Sequence, residues 1–499
     1  MSDPGNTSAT SPGGHGRRAR PVEIGRRRLS LTDIVSAARG AEVTLVPEVI
    51  PQLEQAYQRA EEISTRQPVY GRSTGVGANR LTPVGPDDAE HGMRLLRSHA
   101  ADAGPEVPAP AVRAMLAIRL SQLAGGRSGI NPEVAVGLER MLSCGAVPEL
   151  RTLGSVGTAD LAALAGTALA LTGERRVHGT DSEGSVFEPI SPFGMESALP
   201  FMSSSALTLA RAALALDELQ RLDRAGRVVA ALSALAVRAN TQTFSRAAAR
   251  AAASPGAARV AQEMRRLTKR TPVPARIQDP FGFRAYVPSQ AAVVAGMETL
   301  QLRIEQLASE SQENPLFDFE HSRVIHHGSF HQVALGLAVD GLNLALAQTA
   351  PLITSRINML HEPAFNGVEP FLASGPSGSS GHMMIEYIAA GAMAELRNAA
   401  QPASLGTVVL SRGAEEDASF AAQAVVQLER AVANYRPMLA VELLSAHRAA
   451  YQLGKWPPKV LRPVMDRLYE ELPIVDADHD LRPEVERAAA LLDEIGEVL

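Results

Sequence analysis

One stretch decides the fold of this chain: Gly154-Ser155-Val156-Gly157-Thr158-Ala159-Asp160-Leu161, followed by a run of small and apolar residues from Ala162 to Thr172. Two glycines close together punctuate the backbone and predict a turn. The run behind them predicts a helix, and Asp160 can accept hydrogen bonds from the free N–H groups of its first turn. A turn that leads into a helix is by itself a structural feature, so its meaning depends on the rest of the chain.

The composition favours an all-α, soluble protein. Alanine and leucine dominate the 499 residues, aromatic residues make up only 4% of them, and β-branched alternation is rare. The single cysteine, Cys144, excludes an internal disulfide and suits a reducing compartment, so we expect a cytoplasmic protein. A net charge of −6 gives no electrostatic reason to expect nucleic acid or an anionic membrane as a partner. No uncharged apolar run is long enough to span a bilayer.

The first part of the chain has the composition of a disordered segment. Residues 1–28 mix Gly, Ser, Pro and Thr with arginine clusters and contain no apolar stretch to bury. Such a segment cannot offset the entropy lost on folding, so we predict a flexible tail. No hydrophobic core follows the arginines, which argues against an export signal.

Five further motifs stand out along the chain, apart from the opening stretch. The glycine-rich loop Tyr70-Gly71-Arg72-Ser73-Thr74-Gly75-Val76-Gly77 must bend sharply or approach another group closely. No Gly-Lys-Ser/Thr follows it, which argues against a phosphate-binding loop. The other motifs are Leu95-Leu96-Arg97-Ser98-His99-Ala100, Arg276-Ile277-Gln278-Asp279-Pro280-Phe281-Gly282-Phe283-Arg284, His326-His327-Gly328-Ser329-Phe330-His331 and Ser411-Arg412-Gly413-Ala414-Glu415-Glu416-Asp417. The clustered histidines invite a metal interpretation, but no cysteine or second acidic cluster accompanies them at ligand spacing, so we expect no metal.

In this order, the segments resemble motifs of the histidine and phenylalanine ammonia-lyases, the aromatic amino acid ammonia-lyase family. The family signature Gly-Ser-Val-Gly-Ala-Ser-Gly-Asp-Leu matches the opening stretch. Its Ala-Ser-Gly tripeptide cyclises and loses water to form methylidene-imidazolone (MIO), the electrophile that captures the substrate. This chain has only two residues where the family has three, and it lacks the serine and the last glycine. We identify the chain as a divergent member without the MIO tripeptide and expect no cofactor. Its degenerate MIO loop consists of Gly157, Thr158, Ala159 and Asp160.

The resemblance implies roles for residues at the family's motif positions. Tyr70 stands where the family has the base that removes the substrate's β-proton, and Arg284 stands where an arginine binds the substrate carboxylate as a bidentate fork. His99 matches an active-site histidine, although a lone histidine in an apolar helix is more often a core residue. Glu415 matches a glutamate that reaches the active site; the alternative is a solvated acidic residue at a helix start.

The resemblance also implies a substrate-binding set in which two family side chains are replaced. Met202 stands where the family has the asparagine that bonds MIO, and a thioether sulfur donates no hydrogen bond. Phe281 stands where the family has a tyrosine that supports MIO chemistry, and it lacks the hydroxyl. The expected set is Arg72, Ser73, Met202, Gln278, Phe281, Ser329 and His331.

The residues that this chain has replaced are those that form or support the electrophile in the family. The residues at the acid–base and carboxylate-binding positions are kept. General acid–base catalysis supplies about 10² to 10⁴ in rate, roughly 3–5 kcal/mol, while most enzymes need at least about 8 kcal/mol. The substrate must therefore bring its own activation. The leading hypothesis is a MIO-independent lyase or cyclase of specialised metabolism that performs elimination, conjugate addition or cyclisation of an activated small molecule. Tyr70 would be its base, assisted by the positive charge of Arg72 or Arg284, and Arg284 would anchor a carboxylate or enolate.

Two alternatives stay open. One is a non-catalytic homologue that binds a small molecule or assembles with an active paralogue. The other is a conventional ammonia-lyase with an unforeseen electrophile. The resemblance alone does not choose among these activities, because fold does not fix function.

For the fold, the resemblance implies an elongated all-α protein of the ammonia-lyase/fumarase type. Its long central helices would assemble into a homotetramer whose active sites take residues from three subunits. Residues 29–215 would form an N-terminal domain that carries the active-site loop, and residues 216–499 a central helical bundle with C-terminal capping helices. The candidate bundle helices begin near Ala206, Ala291, Val333 and Ala418.

Overall fold

The computed structural model describes residues 20–179, 187–269, 273–454 and 457–499. Its α-helices are α1 (Leu31–Ala38), α2 (Val49–Ser64), α3 (His91–His99), α4 (Ala109–Ala124), α5 (Pro132–Ser143), α6 (Leu161–Leu171), α7 (Met195–Met202), α8 (Ala206–Ala236), α9 (Arg246–Ala251), α10 (Pro255–Leu267), α11 (Phe281–Arg284), α12 (Tyr286–Leu307), α13 (Val333–His361), α14 (Pro363–Asn366), α15 (Ile385–Ala399), α16 (Ala421–Gln452), α17 (Arg462–Glu471) and α18 (Arg482–Ile495). Its strands are β1 (Val22–Ile24), β2 (Val43–Leu45), β3 (Ala103–Glu106), β4 (Val147–Pro148), β5 (Arg151–Leu153), β6 (Val177–His178), β7 (Leu316–Asp318) and β8 (Arg323–Ile325). They form two-stranded pairs: β1 with β2 in parallel, and β3 with β5, β4 with β6 and β7 with β8 antiparallel.

The centre of the molecule is a bundle of long helices. Helix α16 packs against α8, α13 and α15, and α12 packs against α13. Helix α8 is buried along most of its length, because its alanine- and leucine-rich sequence carries no continuous polar face. The prediction of an all-α protein built on a central bundle is confirmed.

A buried ion pair and hydrogen bonds connect the helices of the bundle. The guanidinium of Arg356 on α13 binds Glu442 on α16 through two hydrogen bonds of 2.7 and 2.8 Å, and both side chains are buried. Ser233 on α8 donates a further hydrogen bond to the same carboxylate at 2.7 Å. Removing either Arg356 or Glu442 would leave the other charge buried without its partner, which costs about 3–5 kcal/mol.

Two helical stretches are long and apolar enough to cross a membrane by length and composition alone. They are Met195–Ala236, with a mean hydropathy of 1.3, and Val333–His361, with a mean hydropathy of 1.4. Inside the fold, 89% of the first apolar window and 56% of the second are buried. This degree of burial is typical of core helices in a bundle, which pass the same test.

The structure corrects part of the predicted tail. Residues 1–19 lie outside the described residues, but β1 pairs with β2, and Val22 and Ile24 are only 2% and 1% exposed. Alternation along the strand places both side chains on one buried face, so residues 22–24 are part of the folded core. The proposed domain boundary between residues 215 and 216 falls inside the continuous helix α8, and the division into two domains stays a prediction.

Candidate active site

A cavity of about 550 Å³ brings together residues from distant parts of the chain. Tyr70 comes from the glycine-rich loop after α2, His99 from the last turn of α3, and Glu415 from the segment before α16. Three of the four residues predicted as catalytic therefore line one space. The size suits a small organic ligand, since such pockets measure about 300–1,000 Å³.

The glycine-rich loop holds Tyr70 in place through its own backbone. The N–H of Gly77 donates a hydrogen bond of 2.6 Å to the phenolic oxygen of Tyr70. Gly77 has a φ of +55°, and a Cβ there would lie 2.6 Å from the hydroxyl oxygen of Ser411. That hydroxyl accepts a hydrogen bond of 2.9 Å from the N–H of Ala78. Glycine is therefore required where the loop meets the segment that carries Glu415.

The histidines of α3 face the same cavity. In His99, Nδ1 lies 2.8 Å from the carbonyl oxygen of Leu95, so Nδ1 carries a hydrogen and the neutral ring keeps a free lone pair on Nε2. His91, which the sequence analysis missed, also lines the cavity, with Nε2 3.1 Å from the carbonyl oxygen of Gly71. The two histidines stand eight residues apart on one helix face, a spacing that offered a signal for both.

Glu415 is fixed by its main chain. Its carbonyl oxygen accepts a hydrogen bond of 2.8 Å from the N–H of Leu410, and the two residues form an isolated bridge. Between them, Ser411 and Arg412 have φ values of +52° and +56°, in the left-handed region that side chains disfavour. The tight turn places Glu415 in the lining of the cavity that Tyr70 and His99 also line.

The degenerate MIO loop, Gly157 to Asp160, lies next to this cavity, since Leu161 lines it. Ser419 donates a hydrogen bond of 2.7 Å to the carbonyl oxygen of Gly157, and Ser155 donates one of 3.0 Å to that of Ala159. Gly157 and Ala159 have φ values of +91° and +77°. The loop therefore keeps a strained backbone, and hydrogen bonds to the surrounding protein hold it.

Asp160 caps a different helix from the predicted one. Its carboxylate makes no capping bond to α6. Instead its two oxygens accept hydrogen bonds of 2.8 Å from the N–H and the hydroxyl of Thr208, in the first turn of α8. Burial raises the pKa of the Asp160 carboxyl, and the hydrogen bonds from Thr208 oppose that rise. The residue joins the loop to the central bundle.

The residues of this loop do not fit the family's prosthetic group. Cyclisation needs a free amide nitrogen that can attack the carbonyl on the other side of a central residue, and MIO needs a serine there. If Ala159 is central, it has no hydroxyl to lose, and the N–H of Asp160 is bound to the carbonyl oxygen of Ser204 at 2.7 Å. If Thr158 is central, loss of water leaves an extra methyl group, so the product is not a methylidene. No step of the mechanism is therefore derived through MIO.

His331 borders the degenerate loop. It forms an isolated backbone bridge with Thr158, and its Nε2 lies 3.6 Å from a carboxylate oxygen of Asp417. Its Nδ1 is buried and has no hydrogen-bond partner among the described residues. Ser329, in the same segment, is exposed and uses its backbone N–H to bond Nδ1 of His327 at 3.0 Å. In the described ranges, no group of three or more His, Cys, Asp and Glu side chains is placed to hold a metal ion.

Arg284 lies in a separate cavity of about 360 Å³. Its guanidinium donates a hydrogen bond of 2.8 Å to the side-chain oxygen of Gln278 and stacks 4.4 Å from the ring centre of Phe281. These three predicted residues therefore form one exposed group. Within a single chain they do not share the cavity of Tyr70.

Arg72, predicted to bind substrate or to assist Tyr70, does not line the cavity of Tyr70 and makes structural contacts. It is 5% exposed, and its guanidinium binds the Glu61 carboxylate at 2.6 Å and the carbonyl oxygens of Gly129 and Glu196 at 3.0 and 3.1 Å. It also stacks on the ring of Phe317, 5.3 Å from the centre. These contacts tie the glycine-rich loop to its surroundings.

Two other predicted contacts are also structural. Ser73 folds back on its own loop, because its hydroxyl accepts a hydrogen bond from the N–H of Val69 at 2.9 Å. Met202 is fully buried in the main hydrophobic core at the end of α7. Neither lines the cavity of Tyr70. An unbranched thioether is a good filler of an apolar core, which explains the burial of Met202.

The all-α bundle with an acid–base cavity beside it defines an enzyme of the helical lyase class. The chain belongs to the aromatic amino acid lyase family, since the family model described as "Aromatic amino acid lyase" matches residues 29–472. A histidine ammonia-lyase from Symbiobacterium thermophilum is 31% identical over 492 residues, which cover 94% of this chain and 96% of the relative. The protein is therefore a lyase of the ammonia-lyase family.

Solved structures share the fold. The ergothionase from Treponema denticola has a TM-score of 0.88 at 21% identity, covering 96% of this chain and 100% of the other. The tyrosine aminomutase from Streptomyces globisporus has a TM-score of 0.89 at 24% identity, covering 96% of this chain and 98% of the other. At these identities the likeness concerns the fold alone.

Proposed function

We propose that this chain is a MIO-independent lyase or cyclase that acts on an activated small molecule. Tyr70 removes a proton from carbon, and the electron pair of that C–H bond forms a new double bond as the leaving group departs, or adds to an internal acceptor in a cyclisation. The N–H of Gly77, 2.6 Å from the phenolic oxygen, stabilises negative charge on the base. We place the enzyme in specialised metabolism, because its substrate must already carry an activating group.

One observation carries this proposal: Tyr70, His99 and Glu415 line the same cavity, while the adjacent loop does not fit MIO. Nε2 of His99 carries a lone pair and can take up a proton, and it or the carboxyl of Glu415 then returns that proton to the leaving group. Such catalysis supplies about 10² to 10⁴ in rate. The substrate classes that match this limit have a conjugated acceptor, a good leaving group or an already acidic C–H bond.

The intact mass of the purified protein tests the absence of MIO. We expect the mass of the unmodified chain and no near-ultraviolet absorbance beyond that of its aromatic residues. A mass lower by two molecules of water, with new absorbance, would instead support a conventional ammonia-lyase with its own electrophile. Peptide mapping of residues 151–175 would then show whether the loss of water lies in this loop.

We further propose that the protein is a homotetramer and that Arg284 completes the active site of another subunit. Arg284 and Tyr70 occupy separate cavities of one chain, although the resemblance places both at one substrate. Exposed leucine and valine side chains on one side of α13 support self-association, since an unpartnered apolar stripe marks an interface. They are Val333, Leu337 and Leu344, which are 45%, 57% and 45% exposed.

Mixed oligomers test this arrangement. Tyr70→Phe and Arg284→Ala are each expected to be inactive towards an activated acceptor that the wild type converts. Unfolding and refolding the two variants together produces mixed tetramers, in which some sites combine a wild-type Tyr70 with a wild-type Arg284. Recovery of part of the activity is expected. No recovery in a verified mixed tetramer would contradict the shared site. Full activity in both single variants would show that Tyr70 and Arg284 are not the catalytic groups.

We also propose a cytoplasmic protein whose partners are its substrate and its own copies rather than nucleic acid or membrane. The single cysteine, Cys144, is a buried free thiol, which suits a reducing compartment. Cell fractionation with a tagged full-length chain tests this location.

A further inference from the structure

A further cavity lies between α9 and α10, and none of the residues assigned to catalysis lines it. It has a volume of about 720 Å³ and is lined by Arg246, Arg250 and Arg265. No aspartate or glutamate is among the described residues of its lining. The basic stretch from residue 245 to 276, which has no part in the proposed reaction, supplies all three arginines.

The positive charge of this cavity is largely unneutralised. Across the described parts of the chain, the side chains of Arg246 and Arg250 have no ion pair or hydrogen bond, and the side chain of Arg265 uses only Nη1, which donates a hydrogen bond of 2.7 Å to the carbonyl oxygen of Phe244. The acidic residue of α10, Glu263, binds Arg227 at 2.9 Å and Arg259 at 3.2 Å instead. Guanidinium groups without carboxylate partners are the usual means of binding phosphate.

The remaining walls of the cavity add to this preference. Ser254 and Pro255 place the start of the 13-residue helix α10 at the cavity, and the Ser254 hydroxyl makes no capping bond. The Ser254 hydroxyl can therefore donate a hydrogen bond to an anion beside the arginines. Ala249 and Ala258 line the cavity beside them and offer apolar contact. The site therefore has a place for an anionic group and a surface for an organic part.

We propose that the cavity between α9 and α10 binds a small molecule that carries a phosphate or diphosphate group. Three guanidiniums match a multiply charged phosphate better than a single carboxylate. The volume lies in the range of about 300–1,000 Å³ for small-molecule sites, so it holds a nucleotide-sized ligand rather than inorganic phosphate alone. This proposal does not rest on the proposed lyase reaction.

Titration calorimetry on the full-length protein tests the site with adenosine 5′-diphosphate, pyrophosphate and adenosine as probes. We expect the diphosphate and pyrophosphate to bind and adenosine to bind much more weakly. Arg246→Ala and Arg250→Ala should each weaken the diphosphate affinity about tenfold, since each removes a charge-assisted hydrogen bond. Arg259→Ala is the matched control, because Arg259 is an exposed arginine of α10 that does not line the cavity.

Three outcomes would overturn the proposal. The first is no diphosphate binding at millimolar concentration in low salt. The second is an equal loss in Arg259→Ala, which would indicate general surface charge rather than a site. The third is tighter binding of a short DNA duplex than of the diphosphate, with the same variants affected, which would make this a nucleic-acid surface. Unchanged circular dichroism of the variants shows that a lost affinity is not unfolding.

Discussion

The cavity of Tyr70 and the degenerate loop beside it use their polar groups in opposite ways. The cavity is lined by residues that can move protons, namely Tyr70, His99 and Glu415, and Nε2 of His99 has no partner among the described residues. In the loop, polar groups that a cyclisation would need are bound to the protein, as Ser419 and Ser204 hold the carbonyl of Gly157 and the amide of Asp160. The comparison teaches that one region is arranged for chemistry and its neighbour for structure.

The largest effect is expected when the reactive group of the cavity is removed. Tyr70→Phe keeps the ring but deletes the base, so turnover of an activated acceptor should fall about 10²- to 10⁴-fold. The free energy of unfolding should change by only about 1 kcal/mol, for the lost hydrogen bond from Gly77. Steady-state kinetics and chemical denaturation measure the two quantities.

Tyr387→Phe is the matched control, because Tyr387 is 68% exposed on α15 and outside the cavity. Its turnover should equal that of the wild type. Equal turnover in Tyr70→Phe would break the comparison, since the cavity would then hold no base at this position.

An intermediate effect, a loss of stability, is expected when a side chain is added to the degenerate MIO loop. In Gly157→Ala, the added Cβ would lie 2.7 Å from the backbone nitrogen of Ala421 and 3.0 Å from that of Phe420, at a φ of +91°. We expect a loss of about 3–4 kcal/mol of unfolding free energy, from backbone strain and steric overlap together. Chemical denaturation measures the change.

Gly40→Ala separates the two causes. Gly40 has the same φ of +91° but no atom within 4 Å of the added Cβ. It should lose only about 1–2 kcal/mol, the cost of the left-handed backbone. If the two variants lose the same unfolding free energy, steric overlap of the loop with the start of α16 does not contribute to the loss in Gly157→Ala.

The smallest effect concerns the pH dependence of Asp160. Its pKa is raised above 3.8 in the folded protein, mainly by burial. Its contribution to stability is therefore fully present below the unfolded pKa and is lost as the pH rises through the folded pKa. Asn does not titrate, so Asp160→Asn should gain stability relative to the wild type as the pH rises above the unfolded pKa of about 4.

Thermal or chemical unfolding at several pH values measures this difference. The hydrogen bond lost with one carboxylate oxygen gives an offset that does not change with pH. Asp466→Asn, at an exposed position of α17, is the matched control for the substitution itself. A constant difference between wild type and Asp160→Asn across this range would contradict the assigned rise in pKa.

Much of the fold was predictable from local pattern. Alanine- and leucine-rich runs without a polar face predict buried helices, and α8 and α13 begin at Ala206 and Val333 as expected. Helices predicted to begin near Ala291 and Ala418 begin at Tyr286 and Ala421. The strand β1 was not predicted, because three residues hold too little periodicity and their burial depends on β2.

The candidate site was predictable only in part. Motif positions identified Tyr70, His99 and Glu415, which the fold brings to one cavity. The same positions placed Arg72 and Met202 at the substrate, whereas in the structure Arg72 forms an ion pair with Glu61 and Met202 lies in the core. Position in a motif indicates which residues lie near a site, but the direction of each side chain depends on its packing.

The sequence by itself determined the all-α bundle, the family and the absence of the Ala-Ser-Gly tripeptide, because these follow from local periodicity and from the order of residues. Only the tertiary structure decided which helix Asp160 caps and which arginines stand without partners. Those outcomes depend on contacts between segments far apart in the chain, where burial and hydrogen-bond geometry choose among partners that the sequence leaves equivalent.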